Sequence, residues 1–223
     1  TLTGDSGTNI LNGDSGDDML IAGAGGADTL IGGSGTDTAS FSDATAGVAI
    51  TINGSGTNAD GATVTLTGIE NLIGSAYNDT LTGDSLNNLI IGGTGDDIIN
   101  GMGGNDTVSY ADTTSFVTVN LANTGVNVSG GAGNDSLSNV ENIIGSAYND
   151  TITGDGAANV IEGGLGNDIL NGGAGSDTAS YTSAGSGVTV SLAVSSPQNT
   201  GGAGTDTLSN FENLLGSAYN DTL

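Results

Sequence analysis

The chain has 223 residues, of which 25 are Asp or Glu and none is Lys, Arg or His, for a formal net charge of −25. Without His, Cys or Lys it lacks the usual general base, thiolate nucleophile and Schiff-base amine. Without Arg or Lys it has nothing to hold a phosphate backbone, which excludes nucleic acid, and it lacks the imidazole and thiolate ligands that zinc prefers. What remains is carboxylate, amide and carbonyl oxygen, the ligand set of calcium. Metal ions are then the source of positive charge that lets so acidic a chain compact. An acidic chain can also stay disordered, but a hydrophobic content of 35%, placed at fixed phase, argues against that here. The absence of Cys leaves the redox compartment open; an extracellular protein of this kind is stapled by metal rather than by disulfides. No apolar run is long enough to span a membrane, and no charged-then-apolar leader stands at the start.

Two nested periods organise the chain. Copies of GSAYNDT begin at Gly74, Gly145 and Gly216, 71 residues apart. They divide one continuous array over 1–223 into long repeats 1–79, 80–150 and 151–221. The first copy is the irregular one. Leu2 corresponds to Leu81 at a distance of 79 residues, because of one extra nonapeptide-like unit. That unit, AGAGGADTLI (Ala22 to Ile31), is one residue too long, so Asp28 follows Asp18 by ten. Further on, Val64 takes the place held later by Asp135 and Asp206, which argues against calcium between Asn53 and Val64.

From Gly74 the nonapeptides read GSAYNDTLT, GDSLNNLII, GGTGDDIIN and GMGGNDTVS. Position six is Asp79, Asn88, Asp97 and Asp106, and position eight is Leu81, Ile90, Ile99 and Val108. The third copy repeats this with Asp150, Asn159, Asp168 and Asp177, and with Ile152, Ile161, Leu170 and Ala179. Between these runs the apolar anchors continue as Val119, Val128, Leu137 and Ile143 at steps averaging close to nine. That spacing predicts about eight half-coils per long repeat and a rise of about 19 Å. The segments FVTVNL (Phe116 to Leu121) and GVTVSL (Gly187 to Leu192) alternate with period two and read as longer strands, either within the coil or as a hairpin inserted beside it. Both chain ends fall at nearly the same phase of the long repeat, as expected of a stretch cut from a longer array.

The nine-residue unit resembles the calcium-binding repeat GGxGxDxUx of RTX (repeats-in-toxin) proteins, and the resemblance covers nearly the whole chain. It implies an all-β fold, a right-handed parallel β-roll (β-solenoid) of about twelve coils with calcium between stacked turns. In that family the GGxGxD half forms a turn, the xUx half a short strand, and two nonapeptides make one coil. The residue types agree. Glycines permit the positive φ and close approach that a tight turn around an ion requires, and the apolar residue of each strand points inward. Each coil buries little by itself, so stability comes from stacking.

In the family each ion lies between turns stacked two nonapeptides apart, held by backbone carbonyls and by the position-six Asp. Carried over, this pairs Asp79 with Asp97, Asp150 with Asp168, and Asp18 with Asp37. Asn88 with Asp106 and Asn159 with Asp177 have an amide in place of one carboxylate, and the turns around Asn9 and Asp28 form a further pair. GGAGNDSLS (Gly130 to Ser138) is followed by only NVENII before the next GSAYND turn. Counting half-coils puts Asp135, Asp150 and Asp168 on one side, and Glu141 on the other, near Asn159 and Asp177. Glu70, Glu141 and Glu212 are therefore expected to project from shortened turns, either toward a neighbouring ion or as solvated or hydrogen-bonded turn residues. Asp206 is expected to share an ion with Asp221. Asp17 and Asp96 occupy position five, where a side chain should face solvent, and Asp43, Asp112 and Asp155 sit in irregular turns. Tyr77, Tyr148 and Tyr219 stand where a consensus turn carries its fourth-position Gly and are expected to cover the adjacent coil. Phe41, Tyr110 and Tyr181 are expected to pack where the roll changes shape.

Facing carboxylates on successive turns repel, so the chain is expected to be expanded without calcium and to fold cooperatively with it. The resemblance implies a secreted, extracellular or cell-surface protein, exported unfolded by a one-step (type I) secretion machine and folded by the calcium outside. Two roles follow. One is a non-enzymatic structural array, a stiff rod or filament segment of an adhesive, surface or matrix protein, open to end-to-end self-association or to neighbouring repeats of a longer chain. The other is the folding and secretion module of a protease, lipase or epimerase whose catalytic domain lies elsewhere. Ice binding needs an unbroken outward Thr/Asn row, and position three (Thr94, Gly103, Ala132, Leu165, Ala174, Ala203) does not supply it.

Overall fold

The computed structural model describes all 223 residues and is built of short strands and turns without helices. The central residue of a typical strand is the position-eight anchor, and it is buried while its neighbours are not: Leu81 in Thr80–Thr82, Ile99 in Ile98–Asn100, Leu170 in Ile169–Asn171. Three residues suffice for a strand because a glycine-rich turn follows at once and the chain is handed to the other sheet. The residues fall into two compact units, Thr1–Val108 with Asp135–Val140, and Ser109–Asn134 with Glu141–Leu223.

In the first unit one sheet carries, in order, Leu2–Thr3, Met19–Ile21, Thr38–Ser40, Asn71–Ile73, Leu89–Ile91 and Thr107–Ser109, all parallel. Their inward residues Leu20, Ala39, Leu72 and Ile90 lie in register, one beneath the next. The second sheet runs Ser136–Ser138, Ile98–Asn100, Thr80–Thr82, Ala49–Thr51, Ser55–Thr57, Thr63–Thr67, Thr29–Ile31, Ile10–Asn12. Successive strands alternate between the two sheets, so the chain coils, and the buried middle residues form one thin apolar seam. This is the all-β parallel roll expected from the nonapeptides.

The steady count of eight half-coils per long repeat does not hold. After Thr38–Ser40 the chain lays Ala49–Thr51 beside Thr80–Thr82, doubles back through Ser55–Thr57, and returns as Thr63–Thr67 beside Thr29–Ile31. The middle strand is antiparallel to both neighbours, so a three-stranded meander within one sheet is set where three half-coils alternating between sheets were expected. Asn53-Gly54 and Asp60-Gly61 are the turn dipeptides that drive it, with Asn53 and Gly61 both at positive φ. Gly56 lets the middle strand press on its neighbour, since a Cβ there would meet Ala49 O and Ile50.

The second unit repeats the scheme. Asn142–Ile144, Val160–Glu162, Thr178–Ser180 and Asn213–Leu215 form a parallel ladder with Ile143, Ile161, Ala179 and Leu214 in register. The other sheet runs Val128–Gly130, Val117–Asn120, Thr151–Thr153, Ile169–Asn171, Thr205–Ser209, Gln198–Asn199. Its two outer strands pair antiparallel, Val128–Gly130 on Val117–Asn120 and Gln198–Asn199 on Thr205–Ser209. Val117–Asn120 also pairs parallel with Thr151–Thr153, so FVTVNL is at once a strand of the coil and one arm of a hairpin, and the two readings of that segment both apply. Phe41, Tyr110 and Tyr181 are buried, each just after the last regular strand before an irregular segment. Tyr77, Tyr148 and Tyr219 are each about half exposed, so they cover the coil only in part.

Candidate metal centre

Turns stack because strands do, and the position-six residue is the rung. In the first unit the Val48 N–H donates to Asp79 Oδ1 (2.8 Å), the Asp79 N–H to Asp97 Oδ1 (2.8 Å), and the Asp97 N–H to Asp135 Oδ1 (3.0 Å). Elsewhere in that unit Asn9 donates to Asp28 Oδ1 (2.9 Å), Asp18 to Asp37 Oδ1 (2.8 Å) and Asn88 to Asp106 Oδ1 (2.8 Å). In the second unit Val117, Asp150 and Asp168 donate in turn to Asp150, Asp168 and Asp206 (2.8, 2.9 and 3.0 Å), and Asn159 donates to Asp177 Oδ1 (2.8 Å). The turns paired from their spacing are therefore adjacent in the fold.

Two expected groupings change. Asp135 takes the Asp97 N–H and belongs to that ladder, not to the one of Asp150 and Asp168. Asp206 closes the ladder of Asp168, with the Tyr181 hydroxyl on its Oδ2 (3.1 Å), while Asp221 accepts the Val188 N–H (2.9 Å), so no hydrogen bond joins Asp206 to Asp221. The cause is the irregular segment: Thr205–Ser209 pairs with Ile169–Asn171, whereas Thr189 bridges to Thr222.

One carboxylate oxygen of each rung is spent on the ladder, and the other separates two classes. The Oδ2 atoms of Asp28, Asp37, Asp97, Asp168 and Asp177 are buried with no hydrogen-bond partner. A buried unpaired carboxylate oxygen is costly and calls for an explanation. Asp79 and Asp150 differ, because Ser75 and Ser146 each donate both N–H and Oγ to the carboxylate of their own GSAYND turn. Asn88 and Asn159 are likewise closed: Nδ2 donates to the carbonyl of Glu70 or Glu141 (2.9 Å each), and Oδ1 accepts the N–H of Asp84 or Asp155 (2.9 Å each). An amide thus fills the place where the other turns present a free oxygen. Glu141 itself lies in the second unit above Asn159.

Position five faces solvent as expected, with Asp17 and Asp96 both exposed, and it also forms a second ladder of opposite sense. Asp17 Oδ1 accepts the Thr36 N–H (2.8 Å), Asn78 Oδ1 the Asp96 N–H (3.0 Å) and Asn149 Oδ1 the Asn167 N–H (2.8 Å). The recurrence of Asn or Asp at position five was the available signal, hidden because the repeat pattern leaves that position open.

Burial dominates the electrostatics. It pushes Asp97 up to about 7, with the Asp135, Asp79 and Asp96 carboxylates adding to the rise. Asp168 is likewise pushed up to about 7 by burial and then by Asp206 and Asp150. Burial also raises Asp28, Asp79, Asp150 and Asp206. Glu162 is the exception: burial works against its charge, yet hydrogen bonds from Ser183, Thr182 and Ser180 outweigh burial and hold it below the usual range.

The residues fit an oxygen-loving cation. Besides the unpaired carboxylate oxygens, carbonyl oxygens of one turn are directed onto the glycines of the next: a Cβ on Gly93 would collide with Ser75 O, and one on Gly95 would stand 2.8 Å from Tyr77 O. Carboxylate and carbonyl oxygens in stacked turns, with no basic side chain in the chain, are the donor set that a hard cation prefers. The family model "RTX calcium-binding nonapeptide repeat (4 copies)" matches residues 3–39, 65–85, 82–112, 127–138 and 143–179, together more than half of the chain. No curated protein matches it.

Proposed function

Because the chain belongs to the RTX calcium-binding nonapeptide repeat family, we propose that it is a calcium-stiffened structural array, a rod or filament segment of a secreted or cell-surface protein. The observation that carries this reading is the row of buried aspartates with one unpaired oxygen each, in a chain without a single Lys, Arg or His.

Bound calcium supplies the positive charge and the coordination that those carboxylate and carbonyl oxygens lack. Asp28, Asp37, Asp97, Asp168 and Asp177 would hold it through the oxygens that the ladders leave over, with Asp18, Asp106, Asp135, Asp206 and Asp221 as further carboxylates of the same stacks. Asp79 and Asp150, already closed by their serines, serve chiefly as rungs that keep register. Asn88 and Asn159 join turns by amide hydrogen bonds and stiffen the array without an ion.

The thin apolar seam supports a structural role. Each coil adds one inward residue per sheet and about 4.8 Å of length, so coils can be multiplied without changing the cross-section of a unit. No helix is long and apolar enough to cross a membrane.

The test is circular dichroism and small-angle scattering with calcium and with EGTA. The expected result is a compact β-rich particle in calcium and an expanded chain in chelator; an unchanged spectrum in EGTA overturns the reading. Refolding a neighbouring enzyme domain in cis, with no extended particle in scattering, would instead favour a folding module.

A further inference from the structure

Two of the three short turns that lack GGxGxD, Gly68–Glu70 in the first unit and Asn210–Glu212 in the second, stack where a consensus turn would stand. Asn71 and Glu70 donate their N–H groups to Asp37 O (2.9 and 3.0 Å), and Asn213 and Glu212 donate theirs to Asp177 O (3.0 and 3.1 Å). Gly68 and Asn210 turn the chain at φ 62 and 55. We infer that these turns complete two further calcium sites, one between Asp37 and Glu70 and one between Asp177 and Glu212, with glutamate replacing the position-six aspartate.

Three observations converge. First, each glutamate does what the lower aspartate does in a consensus pair. Glu70 Oε2 accepts the Asp37 N–H at 2.7 Å and Glu212 Oε2 the Asp177 N–H at 2.8 Å, as Asp97 Oδ1 accepts the Asp79 N–H at 2.8 Å. The extra methylene makes up for the missing residues of the turn and delivers a carboxylate to the same level. Second, Asp37 and Asp177 are both fully buried, and the Oδ2 of each has no partner. Third, that oxygen and a carbonyl of the short turn crowd the same glycine. A Cβ added to Gly32 would stand 2.6 Å from Asp37 Oδ2 and would collide with Gly68 O; one added to Gly172 would stand 2.8 Å from Asp177 Oδ2 and would collide with Asn210 O. At the consensus turn Gly74 the same two kinds of atom, Asp79 Oδ2 and Gly92 O, also border one glycine, although there Ser75 donates to the carboxylate.

Each short turn thus brings a carbonyl and a carboxylate to a buried aspartate whose Oδ2 has no partner. Two anionic groups and a carbonyl facing one another are held together by a divalent cation and driven apart without one. The short turn therefore continues calcium-mediated stacking across the end of each irregular segment, where the nonapeptide motif is interrupted.

The inference rests on the calcium-binding reading, and native mass spectrometry of the full chain at saturating calcium separates the two. Glu70→Gln with Glu212→Gln keeps an oxygen to accept the aspartate N–H but removes the charged ligand. The expected result is a folded chain carrying two fewer calcium ions than the unsubstituted one. An equal ion count overturns the inference and leaves the general reading standing; an unsubstituted chain that binds no calcium overturns both. Should the double variant misfold, crystals of the unsubstituted chain soaked with terbium decide. An anomalous peak beside Asp37 Oδ2 and Glu70 supports the site, and peaks at the consensus turns with none there overturn it.

Discussion

At the scale of single residues, the side chains that repeat in sequence do not all do the same work. Asp97 and Asp168 keep an unpaired, buried oxygen, whereas Asp79 and Asp150 are closed by the serine of GSAYND and Asn88 and Asn159 by their own amides. Substitution should separate these classes. Asp97→Asn retains an acceptor for the Asp79 N–H but loses a charge that burial penalises. It should weaken the fold in calcium by roughly 2 kcal/mol, the range for losing a charge-assisted contact, and strengthen residual structure in chelator; thermal melts under both conditions check the crossing. Gly93 sits at φ 98 with Ser75 O against its α-carbon. Gly93→Ala should therefore cost on the order of 1–3 kcal/mol in the calcium-loaded state, read as a higher calcium midpoint for folding.

At the scale of elements, the three-residue strands are held by register rather than by length. Leu20, Ala39, Leu72 and Ile90 form one column because each turn, consensus or shortened, returns the chain with the same phase. Where the GGxGxD turn is missing, between Ser40 and Gly74, a meander fills the space. Its middle strand depends on Gly56, so Gly56→Val should overpack against Ile50 at a cost of about 1–3 kcal/mol. Hydrogen exchange should localise the loss to residues 49–67 and spare the consensus coils; uniform deprotection would contradict the meander as a separable element. The turn dipeptides Asn53-Gly54 and Asp60-Gly61 made this hairpin legible in principle. A strict nine-residue count overrode them, because inward anchors such as Val119 and Leu137 occur at nearly the same spacing in a meander as in a coil.

At the scale of the whole molecule, stability is governed by how the net charge of −25 is neutralised. Protons compete with calcium for that task, and the sign follows from the raised values of Asp97 and Asp168. With folded-state values of about 7 against an unfolded value of about 4, the calcium-free folded chain binds more protons than the unfolded one between those limits. The stabilisation is fully present below about pH 4 and is lost as pH rises through about 7. A chain stripped of calcium on a chelating resin should therefore gain β-structure and compact on acidification from pH 8 to pH 5, as the stacked carboxylates take up protons and cease to repel. Circular dichroism that stays coil-like across that range would show that side chains other than the stacked aspartates control folding.

Composition and period alone determined the all-β coil, the stacking partners of most position-six residues and the need for a hard cation. Those are local properties, carried by glycine turns, fixed spacing and the absence of basic groups. Which carboxylate oxygens remain unpaired, how Glu70 and Glu212 replace an aspartate, and where Asp135, Asp206 and Asp221 stack were decided only by tertiary structure. Each depends on which distant strand lies alongside, and a meander moves that partner by tens of residues without altering the local pattern.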